Sequence, residues 1–246
     1  MNLKHFHLEK TDSTNAEAKR LLDNGDEIVL VSAENQEKGR GRNNKQWFGD
    51  PGENALMSFG IKHHDEPAYE EIASFQGKGC LAAIKALREL SGYEGFRLKY
   101  PNDVFAIDKG IAKKICGVLV ENAYRAGNCI HTVVGIGINN KQSKFPEDIL
   151  TKATSLSLLG FNIDNKTVIH SVLNEFVSMI YQPPEEIVKL WQNELNIQGR
   201  EVNVVDKPGR WIAEGILSDG RLELSGIVTN ERIFIDNGDS IRYEIK

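Results

Sequence analysis

The feature that most constrains the fold is a change of pattern near Gly199. Before this residue, stretches with helical spacing alternate with runs of β-branched residues. After it, only short strands follow, separated by the turns PGR, SDG, TN and DNGD. Helices interleaved with strands are typical of a layered domain, and closely spaced short strands are typical of a small barrel. We therefore predict an α+β domain over residues 1–190 and a β-module over residues 197–246.

Local patterns place the elements of the first segment. Helices are expected over residues 11–25, 70–90, 164–181 and 185–195. Strands are expected over residues 27–34, 54–62, 96–100 and 129–139, with a hairpin over 104–124 that turns at 108–110. Thr14 and Glu17 match a capping box for the first helix, and Gly25 suits its C-terminal stop.

The composition excludes several classes of protein. No apolar run approaches the ~20 residues needed to cross a bilayer, and the first residues lack the apolar core of a signal peptide. Cys80, Cys116 and Cys129 lie in apolar segments, and an odd count without an export signal predicts buried thiols in a cytoplasmic protein. A net charge of −5 argues against broad nucleic-acid binding, which needs a basic face. We expect no nucleic-acid or membrane partner.

Against this acidic background, the stretch GRGRNNKQW from Gly39 to Trp47 is locally cationic. Glycine lets a backbone approach an anion closely, and arginine offers a planar fork for carboxylate or phosphate. A solvated basic turn explains the same residues equally well. The stretch by itself leaves both interpretations open.

Other short motifs are polar enough for a site but weak one by one. DSTN at 12–15 is most simply a helix cap, and KYPND at 99–103 is most simply a strand-end turn. Lys114 at the mouth of a strand is ordinary on a surface, and GIGIN at 135–139 lacks the third glycine of a dinucleotide fingerprint. The histidines at 5, 7, 63 and 64 have no ligand spacing around them, so no protein metal site is expected.

Taken in order, however, these motifs resemble those of the biotin protein ligases. The series comprises DSTN at 12–15, Gln36, GRGR at 39–42, Trp47, KYPND at 99–103, KxxGVLVE at 114–121 and GIGIN at 135–139. The resemblance covers nearly the whole chain. It implies a class II synthetase-like mixed sheet with helices, followed by a small SH3-like β-barrel. It also implies that biotin and ATP form biotinyl-5′-AMP, which then acylates a lysine of a biotin carboxyl carrier protein domain.

The resemblance further implies a role for each matched residue. Lys114, Arg40 and Asp103 are expected to be catalytic. Biotin and its adenylate are expected to contact Ser13, Thr14, Asn15, Gln36, Gly39, Arg40, Gly41, Arg42, Lys114, Gly117, Gly135 and Gly137. ATP is expected to contact Trp47, Lys99, Asn102 and Asn139, with Mg²⁺ screening the leaving pyrophosphate. For Asp103, metal binding, amine orientation and proton abstraction all stay open.

The chain departs from the family pattern at a few positions. The loop continues as NNKQ at 43–46, where relatives carry more arginine and glycine. Cys116 and Tyr100 stand where alanine and tryptophan are frequent. The first motif begins at residue 12, which leaves no room for the helix-turn-helix domain of some relatives. We therefore expect a ligase without a DNA-binding role.

Three other functions compete with this one. A lipoate–protein ligase shares the expected fold and the adenylation chemistry, but its RRxGGG-type motif is missing. A nucleic-acid module built on the Arg-Gly loop conflicts with the net charge of −5. A pseudo-enzyme that only senses biotin or adenylate is disfavoured by the presence of Lys114 and Arg40, but the sequence leaves this alternative open. The sequence does not fix the oligomeric state, and a homodimer is compatible with it.

Overall fold

The computed structural model describes residues 2–229 and 231–245. Asn230 in the predicted TN turn, and Met1 and Lys246 at the ends of the predicted domains, lie outside the described residues. The strands of the first sheet are β1 (Leu3–Thr11), β2 (Ile28–Gln36), β3 (Asn54–Lys62), β4 (Phe96–Lys99), β5 (Asp103–Asp108), β6 (Ile111–Arg125) and β7 (Asn128–Asn139). The helices are α1 (Thr14–Asp23), α2 (Tyr69–Ser91), α3 (Asn165–Met179) and α4 (Pro184–Leu195).

The first sheet is mixed and has seven strands in the order β1-β2-β3-β7-β6-β5-β4. β1 and β2 run parallel, and α1 makes the crossover between them. The remaining neighbours pair antiparallel. The mixed sheet with helices that the sequence predicts is therefore confirmed.

The edge strand β1 is the main element that the sequence pattern did not predict. Its side chains alternate weakly between exposed and half-buried, and most of them are polar or charged. Edge strands carry such residues because one side faces solvent and discourages further pairing. The strand forms because β2 offers a parallel partner, with Leu3 opposite Ile28 and Thr11 opposite Gln36.

The helices divide unequally between the two faces of this sheet. α2 and α3 pack on one face, where Phe59 of β3 stacks on Phe176 of α3 with 4.1 Å between ring centroids. α2 lies close to the sheet because Gly79 has no side chain; a Cβ there would lie 2.7 Å from Val118. α1 covers only part of the opposite face, through Ala18 and Leu22. The rest of that face stays open as the floor of a pocket.

The start of α1 differs from the predicted capping box. Ser13 is the N-cap and Thr14 is the first helical residue, and within the described part of the chain the Ser13 side chain makes no capping hydrogen bond. The predicted cap is wrong because Thr14 instead contacts Gln36 of β2 and Ser58 of β3. Hydrogen bonds to two neighbouring strands thus take the place of the local capping hydrogen bond of Thr14. The predicted stop is confirmed, since Gly25 follows the helix with a φ of 107°.

The last part of the chain forms a separate antiparallel sheet. Its strands are β8 (Glu201–Val204), β9 (Lys207–Ile216), β10 (Leu222–Gly226), β11 (Arg232–Ile235) and β12 (Ile241–Arg242). They pair in the order β11-β10-β9-β8-β12. This five-stranded sheet fits the SH3-like module that the sequence predicts. We call residues 201–242 the C-terminal module.

The C-terminal module packs directly on the first sheet. The Tyr100 hydroxyl lies 2.7 Å from the Ile235 carbonyl and 3.0 Å from the Gly220 carbonyl. The backbone N–H of Tyr100 donates to the Tyr243 hydroxyl at 2.9 Å. Burial raises the pKa of Tyr243 to about 12, so this hydroxyl is neutral at physiological pH. The division at residues 190–197 stays a proposal, because these contacts join the two parts.

No helix within residues 2–229 or 231–245 has the length and apolarity to cross a bilayer.

Candidate active site

One row of residues crosses the open face of the first sheet. The register places Lys99 opposite Asp103, Asp103 opposite Gly117, and Gly117 opposite Gly137. Directly opposed residues of paired strands project from the same face. The two glycines therefore form a trough in the middle of the sheet, with a cation and a carboxylate beside it.

A β-bulge brings Lys114 to the same face. The β5–β6 register shifts between Val104 and Phe105, which makes Ile115 one extra residue in β6. One extra residue moves the side chains beyond it to the opposite face. Lys114 Nζ consequently lies 2.6 Å from Oδ1 of Asp103, and these two side chains are only 34% and 22% exposed. The carboxylate holds the ammonium at the edge of the trough.

A network of neutral polar groups forms the other end of the site. The backbone N–H of Thr14 donates to Oε1 of Gln36 at 2.7 Å. The buried Ser58 hydroxyl lies 2.7 Å from the Thr14 hydroxyl and 2.6 Å from Oδ1 of Asn15. Buried polar groups that satisfy one another in this way hold fixed orientations. This end can therefore present donors and acceptors to a neutral polar ligand.

The cationic stretch is a small hairpin. The Trp47 N–H donates to the Gly39 carbonyl at 3.0 Å, and the Gly41 N–H donates to the Lys45 carbonyl at 2.7 Å. A 3-10 turn over residues 42–44 forms the tip, where Asn43 has a φ of 54°. Asparagine tolerates this left-handed backbone better than most residues. We call residues 39–47 the cationic loop.

Arg40 of the cationic loop points to the middle of the first sheet. Its Nη2 lies 2.9 Å from Oε2 of Glu121 in β6. The same carboxylate oxygen accepts a hydrogen bond from Nδ2 of Asn15 at 2.7 Å. Arg40 and the polar end of the site are therefore linked through one carboxylate.

Trp47 at the end of the cationic loop lies over the trough. A Cβ at Gly117 would lie 3.0 Å from Cζ3 of the indole, and a Cβ at Gly137 would lie 2.7 Å from its Cε2. The indole N–H is buried, and no hydrogen-bond partner lies near it among the residues that the structure describes. Lys114 Nζ lies 5.7 Å from the centroid of the ring. Gly117 and Gly137 therefore leave the space that the Trp47 indole occupies, and Gly135 likewise leaves space for the Asn15 side chain.

The two asparagines predicted to recognise the nucleotide donate hydrogen bonds to backbone carbonyls in this structure. Nδ2 of Asn102 donates to the Val118 carbonyl at 2.9 Å, and Nδ2 of Asn139 donates to the Thr154 carbonyl at 3.0 Å. Thr154 in turn donates its N–H to the Lys114 carbonyl at 2.9 Å. These amides fix the strand and loop around Lys114. The amide nitrogens are thus already engaged by the protein.

A pocket of about 750 Å³ connects these features. Every residue proposed from the sequence lines it except Gly39, which lines a neighbouring cavity beside the cationic loop. Its size falls within the range typical of small-molecule sites. Lys99 lies on its wall, where burial lowers the pKa of the ammonium and nearby Asp103 partly offsets this effect. The pocket therefore contains a polar neutral end and a cationic end.

Comparison with known proteins places the chain in a family. The model of the biotin/lipoate A/B protein ligase family matches residues 7–139. The chain belongs to this family. Among curated relatives, the bifunctional ligase/repressor BirA of Escherichia coli is 30% identical over 84% of this chain. The biotin–[acetyl-CoA-carboxylase] ligase of Mycobacterium tuberculosis is 31% identical over 94% of it.

The biotin/lipoate ligase fold extends over nearly the whole chain. A biotin protein ligase of Aquifex aeolicus, solved in complex with biotin and ATP, superimposes with a TM-score of 0.72 and 25% identity. The match covers 98% of this chain and 99% of that one. The chain spans 64% of the length of the Escherichia coli relative and 86% of the Mycobacterium tuberculosis relative.

Two polar residues of the site, Ser58 and Glu121, are not among the site residues that the sequence predicts. Ser58 lies in an apolar strand and resembles an ordinary core position until its pairing with Gly135 across the sheet is known. Glu121 ends the KxxGVLVE motif, but its link to Arg40 joins residues 81 positions apart in the chain. For Glu121 the motif offered a signal; for Ser58 the local sequence offered none.

Proposed function

We propose that this chain activates biotin with ATP as biotinyl-5′-AMP and transfers the biotinyl group to a lysine of a biotin carboxyl carrier protein domain. The arrangement of the pocket carries this proposal. Lys99, Lys114, Arg40 and Arg42 line it, while Thr14 and Gln36 form a neutral polar end. Such a division suits a ligand with a neutral polar head and an anionic tail that must meet a polyphosphate. The Aquifex ligase, solved with biotin and ATP, supports the same pair of substrates.

The first half-reaction joins two anions. A carboxylate oxygen of biotin attacks the α-phosphorus of ATP, the bond to the β-phosphate oxygen breaks, and pyrophosphate leaves. Positioning and charge neutralisation supply most of the catalysis in such a step. Lys114 is suited to this role because Asp103 fixes its ammonium at 2.6 Å. Arg40 and Arg42 would reach the carboxylate and phosphate from the loop above.

Mg²⁺ is proposed to enter with the nucleotide as MgATP. This ion prefers carboxylate and phosphate oxygens and usually keeps several waters. Asp103, the carboxylate beside the trough, is already paired with Lys114. Within the described residues, no group of three or more His, Cys, Asp or Glu side chains is placed to hold a metal. The pocket therefore fits an ion bound mainly by phosphates, and the protein groups act through their own charges.

The second half-reaction needs a neutral acceptor amine. The lysine nitrogen attacks the carbonyl carbon of the mixed anhydride, AMP leaves with the bonding electrons, and the amine loses a proton. Asp103 supports the first step through its contact with Lys114, so we propose positioning of Lys114 as its main role. Amine orientation and proton abstraction by Asp103 remain alternatives for the second step.

Biotin-dependent release of pyrophosphate from MgATP tests the proposal. We expect release with biotin, no release with lipoate, and no release with either acid in a Lys114→Ala variant. Thermal unfolding of that variant should stay close to wild type, which controls for misfolding. Release with lipoate alone would move the assignment to a lipoate ligase. Release by the variant at the wild-type rate would remove Lys114 from the mechanism.

The setting and partners of the protein are also proposals. All three cysteines are free and buried, which suits the reducing cytoplasm. The acidic net charge of −5 supports a ligase that does not bind nucleic acid. A homodimer is compatible with the fold, and light scattering would detect it.

A further inference from the structure

The tip of the cationic loop reaches the C-terminal module. Lys45 Nζ lies 2.7 Å from Oδ2 of Asp239, and Nδ2 of Asn43 donates to the same oxygen at 3.1 Å. Nη2 of Arg42 donates to the Asp236 carbonyl at 2.8 Å. Three contacts thus join the loop to one short segment of the module.

The segment that carries Asp239 is itself fixed against the first sheet. The side chain of Asn237 accepts a hydrogen bond from the Asp239 N–H at 3.0 Å. A Cβ at Gly238 would collide with the Tyr100 carbonyl and with the Pro101 ring. Glycine at this position therefore lets the segment press on the strand end that precedes Asp103. Asp239 stands on a rigid support beside the pocket.

The two side chains that contact Asp239, Asn43 and Lys45, belong to the NNKQ stretch at the tip of the cationic loop. The ammonium of Lys45 holds the pKa of Asp239 below its usual range, so the carboxylate is ionised at neutral pH. At the other end of the loop, Arg40 pairs with Glu121. The loop therefore crosses the pocket between two carboxylate anchors.

We propose that Asp239 is a positioning residue that holds the cationic loop over the pocket and so slows the escape of the activated intermediate. This inference rests on the proposed function for the identity of the intermediate. Asp239 acts through Lys45 and Asn43, and these contacts hold the loop that carries Arg40 and Arg42. The C-terminal module thereby contributes to retention of the adenylate.

The anchoring itself can be tested without any ligand. Trypsin cleaves after Arg40 and Arg42 when the loop adopts an extended conformation, so a loop held in its hairpin should be cut more slowly. The Lys45–Asp239 pair is partly exposed, at 66% and 53%, so its loss has a moderate effect. We expect Asp239→Asn to raise the cleavage rate about threefold to tenfold. Asp219→Asn is the matched control, because its carboxylate pairs with Arg221 in the same module, and among the described residues no hydrogen bond or ion pair joins it to the cationic loop.

A charge exchange separates positioning from a general structural effect. Lys45→Asp combined with Asp239→Lys restores the pair with reversed sign and should return the cleavage rate after Arg40 and Arg42 towards wild type. Unchanged cleavage in Asp239→Asn would overturn the proposal. So would failure of the charge exchange to restore protection while each single variant folds with a wild-type Tm.

Release of preformed adenylate then links anchoring to function. We expect faster release in Asp239→Asn by a factor similar to that for cleavage. Faster cleavage with unchanged release would overturn the positioning role. If wild type forms no adenylate at all, the proposed function fails, while the protease experiment still decides whether Asp239 anchors the loop.

Discussion

Replacing Gly137 by alanine should displace Trp47 from the trough. The added Cβ would lie 2.7 Å from Cε2 and 2.9 Å from Cζ2 of the indole. Carbon atoms in contact normally lie ~3.5–4.0 Å apart, so one side must move by about 1 Å. β7 pairs with β3 on one side and β6 on the other, which holds its backbone in place. The indole is the part that yields.

The size of the effect follows from the cost of overpacking. Inserting a methyl group into a packed contact typically costs about 1–3 kcal/mol. A cost of ~1.4 kcal/mol corresponds to a tenfold change in an equilibrium constant. If Trp47 packs on the nucleotide, Gly137→Ala should weaken binding of a nonhydrolysable ATP analogue about tenfold or more. Biotin affinity should change much less, because Thr14 and Gln36 lie at the other end of the pocket.

Calorimetric titration of wild type, Gly137→Ala, Trp47→Ala and the double variant tests this reasoning. Once Trp47 is absent, the methyl group has nothing to displace, so Gly137→Ala should then add less than about 0.5 kcal/mol. Losses that simply add in the double variant would refute the clash with the indole. Equal losses for biotin and nucleotide would refute the assignment of Trp47 to the nucleotide end.

Three further predictions concern Arg40, Asp103 and His63. Arg40→Ala should change the free energy of unfolding by less than about 1 kcal/mol, since its pair with Glu121 is half exposed. The same variant should release preformed adenylate about tenfold faster or more, and unchanged release would contradict the role of Arg40. Asp103→Asn should slow pyrophosphate release because Lys114 loses its partner, and normal transfer from preformed adenylate in this variant would exclude an amine role for Asp103. Burial lowers the pKa of His63, so the unfolded chain takes up its proton first and the free energy of unfolding should fall as pH drops below about 6.5. Urea unfolding at pH 7 and pH 5 should show a smaller fall for His63→Gln, and an equal fall would contradict this assignment.

The elements that could be predicted from sequence are those whose cause is local. The strand over 54–62 matches β3, and the hairpin turn at 108–110 lies between β5 and β6, because turn residues and alternation act over a few positions. The local sequence does not predict β1, because its polar edge residues form a strand through pairing with β2. The local pattern predicts a cap at Thr14 because its actual partner, Gln36, lies 22 positions away in the chain.

The site shows the same division between local and distant causes. Almost every residue that the ordered motifs identify lines the pocket. They gave no indication that a bulge at Ile115 turns Lys114 towards Asp103, because the shift is visible only in the β5–β6 register. Asp239 appeared in the sequence as part of a DNGD turn. Its contact with Lys45 spans 194 positions and depends on how the C-terminal module packs.

Mass spectrometry of a biotin carboxyl carrier protein domain tests the central claim most directly. The domain is incubated with this protein, biotin and MgATP, and its intact mass and modified residue are determined. The account predicts a gain of one biotinyl group on a single lysine, absent without ATP and absent with the Lys114→Ala variant. An unmodified carrier under conditions where wild type releases pyrophosphate would contradict the proposed transfer. An unmodified carrier without any pyrophosphate release would contradict the ligase assignment itself.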